Sequence, residues 1–351
     1  MTDGAIRLMG LAAEEIHAAF AHVGVTPSSA RKIQQAVLRD GAVPTRLPGV
    51  SNHVLAAVGA HSTVPRLTIL EKTVSPRDGF AKYLLRGDGP DPFEAVRIPL
   101  LHHADDPKYV ICVSSQVGCA MRCAFCATGR LGFRRNLAAW EIVDQIATIR
   151  ADSPHPISGI VFMGMGEPML NYDAVMQAAA ICTAPTGFAI SGKAITISTV
   201  GIVPGIRRFT AERRPYRLVF SLTSADPAIR QSLLPIESAY PTTAVIEALR
   251  DYHTATRRRV TLAWTMMSGI NTRPKDAQQL AELTRGLPIK LDLIDVNDST
   301  GRWSPPSDAE RNTFRDALRT HLAAPVARRY SGGADIHAAC GMLAGRDLAP
   351  V

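Results

Sequence analysis

Residues 117–129 of the chain read VGCAMRCAFCATG, and three of the six cysteines of the protein lie within this stretch. Their spacing is C-x3-C-x2-C, and it follows the apolar run YVICVSS. The spacing is too tight for a tetrahedral zinc site built from two separate CxxC knuckles, and no fourth Cys or His follows nearby. Thiolates at Cys119, Cys123 and Cys126 could instead hold three irons of a 4Fe–4S cluster and leave the fourth iron open. A zinc site or a chance grouping of cysteines is the alternative.

The sequence after residue 109 alternates between strand-like and helix-like patterns. The strand-like segments are six apolar, β-branched runs: YVICVSS, ISGIVFMG, KAITISTVG, YRLVFSLTS, RRVTLAWTMM and PIKLDLIDVN. Helical patterns such as AAWEIVDQIATIRAD and TAVIEALRDYHTATRR separate them. This alternation predicts an α/β fold of parallel βα units, as in an open or partial barrel. Chemistry gathers on loops at the carboxyl ends of such strands, and the cysteine loop is the first of these loops.

Changes in periodicity divide the chain into three predicted regions. Residues 1–65 show helical periodicity, as in LAAEEIHAAFAHV, and are expected to form a small helical accessory domain. Residues 66–108 contain the short alternating segments LTILEKTV, AKYLLRG and FEAVRIP, which predict an antiparallel β meander. Residues 109–351 are expected to hold the barrel and a C-terminal tail.

Composition excludes several classes of protein. The chain has 351 residues, of which 46% are apolar and 20% charged, as in ordinary globular proteins. The N-terminus has acidic residues where a signal peptide is basic, and no apolar run reaches the ~18 residues of a membrane-spanning helix. We therefore expect a soluble, cytoplasmic protein, in which cysteines serve metal or redox chemistry. The net charge of +8 suits a polyanionic partner, or serves solubility alone.

Several ordered blocks of sequence together resemble one known family. These blocks are ICVSSQVGCAMRCAFCATGRLGFRRNL, FMGMGEP, ITISTVGIVPGI, FSL and ADI-x-AACG, and the resemblance runs from about Glu94 to Gly345. They are similar to the RlmN/Cfr family of radical S-adenosylmethionine (SAM) RNA methyltransferases. The resemblance implies a partial (β/α)6 barrel of the TIM type, a 4Fe–4S cluster, and SAM bound at the open iron. It also implies methylation of an adenine carbon, C2 or C8, in RNA.

Two cysteines outside the motif gain roles from this resemblance, although most lone cysteines are buried apolar residues. Carbons 2 and 8 of adenine are electron-poor, so they cannot attack a methyl sulfonium. The family first methylates the cysteine that matches Cys340, converts that methyl group to a radical, and adds it to adenine. The cysteine that matches Cys112 then resolves the adduct and forms a transient disulfide with Cys340. The carboxylate that matches Glu94 is a candidate proton acceptor, although a solvated strand carboxylate is an equal alternative.

The resemblance also supplies candidate contacts to SAM. By motif position these are Gly166, Glu167, Ser198, Ser221, Leu222, Thr223 and Asn297. The chain departs from the family at four places: Thr223 replaces His, His337 replaces Asp, Met342 replaces Gln, and residues 296–298 replace a WNP-like stretch. The departures are expected on the substrate side of the site, so they leave the choice of substrate open.

RNA is the expected partner, in particular 23S rRNA of the large ribosomal subunit, with flavodoxin or ferredoxin as electron donor and the protein as a monomer. Arg130, Arg134 and Arg135, just past the cysteine loop, are the best-placed candidates for phosphate contacts. Other basic clusters, which are equally well explained as solvated faces, are Arg207, Arg208, Arg213, Arg214 and Arg217, Arg257 to Arg259, Arg328 with Arg329, and Arg31 with Lys32. The same radical chemistry on a different RNA or a small biosynthetic substrate is one alternative. A non-catalytic RNA-binding iron–sulfur or zinc protein is another.

Overall fold

The structure is a computed structural model and describes residues 5–100 and 106–344. Its strands are β1 (Ile6–Arg7), β2 (Ser62–Thr63), β3 (Thr68–Val74), β4 (Ala81–Arg86), β5 (Phe93–Pro99), β6 (Tyr109–Cys112), β7 (Gln116–Gly118), β8 (Phe133–Asn136), β9 (Ile157–Phe162), β10 (Ile195–Thr199), β11 (Arg217–Ser221), β12 (Val260–Met266), β13 (Ile289–Asp295) and β14 (Val326–Arg328). Ten of these strands form one mixed sheet in the order β14-β13-β12-β11-β10-β9-β6-β5-β4-β3. The remaining strands form two small sheets, β1 with β2 and β7 with β8.

Helices cover the outer face of this sheet and form the N-terminal region. The α-helices are α1 (Ala13–Phe20), α2 (Pro27–Asp40), α3 (Asn52–His61), α4 (Ala127–Leu131), α5 (Ala139–Ala151), α6 (Tyr172–Thr183), α7 (Val203–Ala211), α8 (Pro227–Leu233), α9 (Thr242–Thr256), α10 (Pro274–Leu283) and α11 (Asp308–His321). Among the described residues, no helix combines the length and the apolar composition that crossing a bilayer requires.

The parallel part of the sheet is the predicted partial barrel. All six predicted strand segments are present, as β6 and β9 to β13, and neighbouring strands pair in parallel. The prediction of an α/β partial barrel is therefore confirmed. A seventh parallel strand, β14, pairs with the outer edge of β13 through Val326 and Arg328. With three residues, β14 is too short to show the strand pattern in sequence.

The strands between residues 66 and 108 extend the barrel sheet. Strands β3, β4 and β5 pair antiparallel with one another, and β5 pairs antiparallel with β6. In that last pair Val96 lies opposite Cys112. The meander thus continues the sheet on the side where the barrel begins, and it places β5 beside the strand that leads to the cysteine loop.

The N-terminal helices have a small core of their own and pack against the barrel at α5. Their buried residues include Ile16, Ile33 and Val58. At the junction, Arg66 forms a 2.7 Å ion pair with Asp144 of α5. The same buried carboxylate accepts a 2.6 Å hydrogen bond from the backbone N–H of Leu67. These contacts satisfy a charge that would otherwise be costly to bury.

An apolar layer crosses the middle of the barrel interior. It consists of Met163, directly after β9, together with Val219 in β11, Ala263 in β12 and Ile294 in β13. Since side chains alternate between the two faces of a strand, residues two positions before or after these also face the interior. The layer therefore has polar neighbours on both sides.

The apolar layer separates two cavities. The carboxyl-end cavity lies beside the cysteine loop and is bordered by Cys119 and Ser221. The amino-end cavity lies at the opposite end of the same strands and is bordered by Arg217, Thr261 and Lys290. One barrel thus contains two cavities, one beside the cysteine loop and the other bordered by basic and polar side chains at the starts of the strands.

Candidate active site

The carboxyl-end cavity brings together most of the site residues that the sequence predicts. Those that line it are Cys119, Cys123, Cys126, Gly166, Glu167, Ser198, Ser221, Thr223, Asn297 and Cys340. Leu222 is fully buried instead, and its backbone N–H bonds to the carbonyl oxygen of Ala263 at 3.0 Å. The two remaining predicted residues, Cys112 and Glu94, do not line this cavity and lie next to the C-terminal tail.

The cysteine loop is shaped by backbone contacts that require glycine. It leaves β7 at Gly118, whose φ of +70° is unfavourable for other residues. A Cβ atom there would lie 1.8 Å from the carbonyl oxygen of Gly132. At the far end of the loop, a Cβ on Gly129 would lie 2.9 Å from both the N and O atoms of Cys123. The β7–β8 hairpin, which the sequence patterns did not predict, closes the base of the loop.

The environment of the thiols suits a bound cation. Burial raises the pKa of Cys119 to about 12 and that of Cys123 well above its usual value, and neighbouring thiols add to both effects. Thiolates are therefore unfavourable here without a compensating positive charge. Within the described residues, no three His, Cys, Asp or Glu side chains are grouped closely enough to share one metal ion. A 4Fe–4S cluster has a different requirement, because each thiolate binds its own iron, and the three thiols fit that donor set.

Glu167 is held rigidly at the wall of the same cavity. Its two carboxylate oxygens each accept a 3.0 Å hydrogen bond, one from the backbone N–H of Met169 and one from that of Val200. Burial raises the pKa of this carboxyl to about 7, and the two backbone hydrogen bonds oppose that effect. A carboxylate in this position favours a cationic ligand, since a nearby positive charge would restore its ionised form.

Short polar side chains at the ends of β10 and β11 face the cavity beside Glu167. The hydroxyl oxygens of Ser198 and Ser221 lie 3.3 Å apart. Thr223 has a left-handed backbone with φ of +62°. Its buried hydroxyl has no hydrogen-bond partner among the described residues. A buried, unsatisfied hydroxyl that lines a cavity is a ready contact for a polar ligand.

Two buried side chains that sequence analysis missed hold these strand ends in place. Arg230 of α8 donates to the carbonyl oxygens of Leu222 at 3.0 Å and Val200 at 2.7 Å, and it pairs with Glu237 at 2.6 Å. Asn271 donates to the carbonyl oxygen of Thr223 at 2.7 Å. Neither residue lies in a motif, and no local signal distinguishes either from a surface Arg or Asn.

Cys340 and Cys112 line a third space, the tail cavity, between the barrel and residues 330–343. Cys126 lines it as well, so one thiol of the cysteine motif faces both the tail cavity and the carboxyl-end cavity. Burial, together with the neighbouring Cys340, raises the pKa of Cys112 to about 12, and Arg329 opposes the shift. The structure thus brings together the two cysteines that the sequence separates by more than two hundred residues.

Hydrogen bonds fix the tail around Cys340. The backbone N–H of Cys340 donates to Ser331 Oγ at 3.1 Å. Beyond Cys340, Thr128 Oγ1 donates to the carbonyl oxygen of Leu343 at 2.5 Å. Asn297 Nδ2 donates to Ser331 Oγ at 3.1 Å, which joins the β13 loop to the tail.

Glu94 is a buried anchor for the end of the tail. Its carboxylate pairs with Lys82 at 3.0 Å and accepts a 2.8 Å hydrogen bond from the backbone N–H of Ala344. It faces a small space beside Lys82 rather than the cavity that holds Cys112 and Cys340. The geometry therefore favours a positioning role for this carboxylate.

The departures from the family pattern differ in their placement. Thr223 lines the carboxyl-end cavity, whereas His337 is exposed on the outside of the tail and Met342 is half-buried. Asn297 lines the carboxyl-end cavity, and Asp298 accepts hydrogen bonds from the loop that follows it. The substitution at Thr223 is thus the departure that alters the hydroxyl-lined wall of the site.

The arginines just past the cysteine loop have partners within the chain. Arg134 pairs with Asp91 at 3.0 Å, and Arg135 pairs with Glu141 at 2.7 Å. Arg130 donates to Ser299 Oγ at 3.3 Å. Their role in binding RNA stays a prediction, and any such contact would have to compete with these bonds.

Comparison with known proteins identifies the family of the chain. Residues 113–283 match the Radical SAM superfamily. A protein of Myxococcus xanthus named "Probable RNA methyltransferase" is 47% identical over 97% of this chain and 94% of its own length. The dual-specificity RNA methyltransferase RlmN of Syntrophobacter fumaroxidans is 41% identical over 79% of this chain and 80% of its own. The crystal structure of a radical SAM methyltransferase from Sphaerobacter thermophilus superposes with a TM-score of 0.87 at 34% identity, and the match covers 97% of this chain and all of that one. The chain therefore belongs to the RlmN/Cfr family of radical SAM RNA methyltransferases.

Proposed function

We propose that this enzyme methylates carbon 2 or carbon 8 of an adenosine in 23S rRNA, through S-methylated Cys340 and a transient disulfide with Cys112. The observation that carries the proposal is the shared cavity of Cys340, Cys112 and the cluster cysteine Cys126. Two thiols beside a cluster ligand have no evident use in a protein that only binds RNA.

The cofactors have matching places in the carboxyl-end cavity. Cys119, Cys123 and Cys126 would hold the 4Fe–4S cluster, which together with SAM supplies a methyl group and an organic radical. Glu167 would accept hydrogen bonds from the ammonium of SAM, since a charged donor meets a preformed carboxylate there. Ser198 and Thr223 would contact the polar ribose or methionine part, with Gly166, Ser221, the backbone of Leu222, and Asn297 completing the predicted set.

The chain's own residues account for the later steps. Cys340 would receive the methyl group of SAM on its sulfur, and the organic radical supplied by a second SAM would take up one hydrogen atom from that methyl group. The methylene radical left on Cys340 bonds to the adenine carbon. The adduct gives up one electron, to a carrier such as flavodoxin or ferredoxin, and the ring proton. The Cys112 thiolate then attacks the Cys340 sulfur, the sulfur–methylene bond breaks, and its electron pair stays on the carbon, which takes a proton. The resulting disulfide needs an external dithiol before the next cycle.

A nucleoside digest of rRNA tests the proposed function. Incubation of the cluster-loaded enzyme with SAM, a reductant and 23S rRNA should yield methyladenosine, and the retention time identifies C2 or C8. Cys340→Ala should abolish the product, and Cys112→Ala should accumulate a covalent protein–RNA adduct that is visible on a denaturing gel. Cys182→Ala is the matched control, because Cys182 is a fully buried thiol of α6 outside these cavities. Unchanged methylation in Cys340→Ala would overturn the proposal.

The same radical methylation of a different RNA or a small biosynthetic substrate is the second candidate. The observation that favours it is Thr223, which gives the cavity wall a hydroxyl where the resemblance implies an imidazole. Mass spectrometry of all RNA classes from a deletion strain separates the candidates. A lost methyladenosine in 23S rRNA supports the first, whereas an unchanged RNA profile supports the small substrate.

A further inference from the structure

The amino-end cavity is large, basic and not used by the chemistry described above. Its volume is about 880 Å³. It lies at the starts of the parallel strands, below the apolar layer that includes Val219. An enzyme that needed only the cluster and SAM would have no evident reason to keep this half of the barrel open.

Cations from separate parts of the sequence converge on this cavity. Lys193 precedes β10, Arg217 begins β11, and Arg259 precedes β12. In the part of the chain that the structure describes, these three side chains form no hydrogen bond or ion pair. Because they are concentrated in one concave surface, their fields add and attract an anion more strongly than scattered surface charges do.

Two of the other basic groups of the cavity are neutralised by carboxylates. Lys290 pairs with Asp292 at 2.8 Å. Arg328 pairs with Asp295 at 2.6 Å. Arg258 donates to the carbonyl oxygen of Arg214 at 2.7 Å, a bond that orients its guanidinium but leaves its charge in place. Among the described residues, the charge without a carboxylate partner therefore resides on Lys193, Arg217 and Arg259, together with the Arg258 and Arg329 guanidiniums.

The amino-end cavity adjoins the tail cavity, where the reactive thiols lie. Phe80, Met163, Arg329 and Tyr330 line both the amino-end cavity and the tail cavity, where Cys340 lies. Tyr330 is 61% exposed and packs edge-on against Phe80, with ring centroids 6.2 Å apart. An exposed aromatic ring at the border of the two cavities offers a face on which a base can stack.

We propose that the amino-end cavity binds the single-stranded RNA that flanks the target adenosine. Lys193, Arg217 and Arg259 contact its phosphates, and Tyr330 stacks against a base at the passage to Cys340. This inference rests on the proposed function, because it requires RNA as the substrate. Phosphate and stacking contacts position a strand without reading its sequence, so the cavity would orient the adenosine rather than select it. An unpaired strand is required, since a base in a duplex could not reach the thiol.

Salt dependence of RNA binding tests the phosphate contacts. We would measure the affinity of the cluster-loaded enzyme for a short single-stranded poly(A) across a series of salt concentrations. Each lost phosphate contact on a single strand lowers the slope of log affinity against log salt by about 0.7, so Lys193→Gln/Arg217→Gln/Arg259→Gln should lower it by about 2. The matched control is Arg46→Gln/Arg86→Gln/Arg285→Gln, which removes the same charge from exposed sites outside the cavity. An equal change of slope in both triple variants would overturn the inference, because net charge alone would then explain it.

Substitutions of Tyr330 test the stacking contact. Tyr330→Phe keeps the ring but loses the 2.9 Å hydrogen bond to Asp78, whereas Tyr330→Ala loses both. Affinity for poly(A) should fall about tenfold in Tyr330→Ala and stay near the wild-type value in Tyr330→Phe. Equal losses in the two variants would contradict stacking.

The two proposals fail in different ways. If the wild-type enzyme methylates RNA but the cavity triple variant keeps the wild-type slope, the cavity inference is wrong and the proposed function stands. If the wild-type enzyme neither binds nor methylates any RNA, both are wrong.

Discussion

The backbone N–H of Ala127 donates a 2.7 Å hydrogen bond to the carbonyl oxygen of Gly341. Ala127 directly follows Cys126, the last cysteine of the motif, and Gly341 directly follows Cys340. The tail cysteine is therefore held in register with the cysteine loop by main-chain contact. This bond joins two main-chain groups, so no side-chain substitution removes it directly. Substitutions that test how the tail is held against the cysteine loop must therefore change neighbouring residues.

Thr128→Val should uncouple methylation from SAM cleavage. The buried Thr128 hydroxyl donates to the carbonyl oxygen of Leu343, and valine keeps the shape but leaves that oxygen unsatisfied, at a cost of about 1–3 kcal/mol. The tail should then be held less firmly, so we expect less methyladenosine for each 5′-deoxyadenosine formed, measured by chromatography of both products. Thr313→Val is the control, since its hydroxyl bonds to Ala309 on an exposed face of α11. Equal ratios in both variants would show that this contact does not position the tail.

Gly118→Ala should prevent assembly of the cluster. The new Cβ would overlap the carbonyl oxygen of Gly132, and the base of the cysteine loop would have to move. Gly269→Ala is a close control, because Gly269 has nearly the same φ, +69°, but no atom within 4 Å of the added Cβ. Both substitutions carry the backbone penalty of about 1–2 kcal/mol, and only the first adds the clash. Iron and sulfide content after reconstitution should be low in Gly118→Ala and normal in Gly269→Ala; a fully loaded Gly118→Ala would refute this account of the loop.

Arg230→Lys should destabilise the protein and weaken SAM binding together. Lysine keeps the charge but cannot bridge Glu237 and the carbonyl oxygens of Leu222 and Val200 at once. Since the group is fully buried, we expect a loss of about 3 kcal/mol in the free energy of unfolding. Denaturant titration and SAM binding by calorimetry check the two effects. Arg250→Lys is the control, because this exposed Arg bonds to a single carbonyl oxygen, and it should change neither the free energy of unfolding nor the affinity for SAM. Normal SAM affinity in Arg230→Lys would contradict the positioning role of Arg230.

Lys82→Met should lower the free energy of unfolding, because Glu94 would lose its ion pair with Lys82. The substitution would leave a buried carboxylate without its cation, which costs about 3–5 kcal/mol. Adding Glu94→Gln removes that charge, so the double variant should regain part of the free energy of unfolding, measured by denaturant titration. A double variant no more stable than Lys82→Met would show that the ion pair is not the cause.

Glu94→Gln separates the two roles suggested for this residue. The amide oxygen of glutamine can still accept the hydrogen bond from Ala344, but it cannot take up a proton. Methylation at the wild-type rate would indicate that Glu94 only anchors the tail. A large fall in rate, measured at a temperature at which the variant is still fully folded, would support its role as proton acceptor.

The sequence by itself determined the elements whose signals are local. The spacing of Cys119, Cys123 and Cys126 predicted a cluster loop, and alternating apolar runs identified the six barrel strands, because thiolate ligation and strand burial both depend on near neighbours. The ordered sequence blocks carried the family resemblance, and that resemblance linked Cys112 to Cys340.

Tertiary structure alone decided how distant residues meet. The bond between Thr128 and Leu343 spans 215 residues, and no local pattern encodes it. In the same way, Arg230 looks like a surface residue of a short helix until the strand ends pack over it. Lys193, Arg217 and Arg259 stand in different sequence segments, yet they share one cavity, since parallel pairing within one sheet brings the starts of β10, β11 and β12 side by side. Strand order and register set these distances, and both are products of the whole chain folding together.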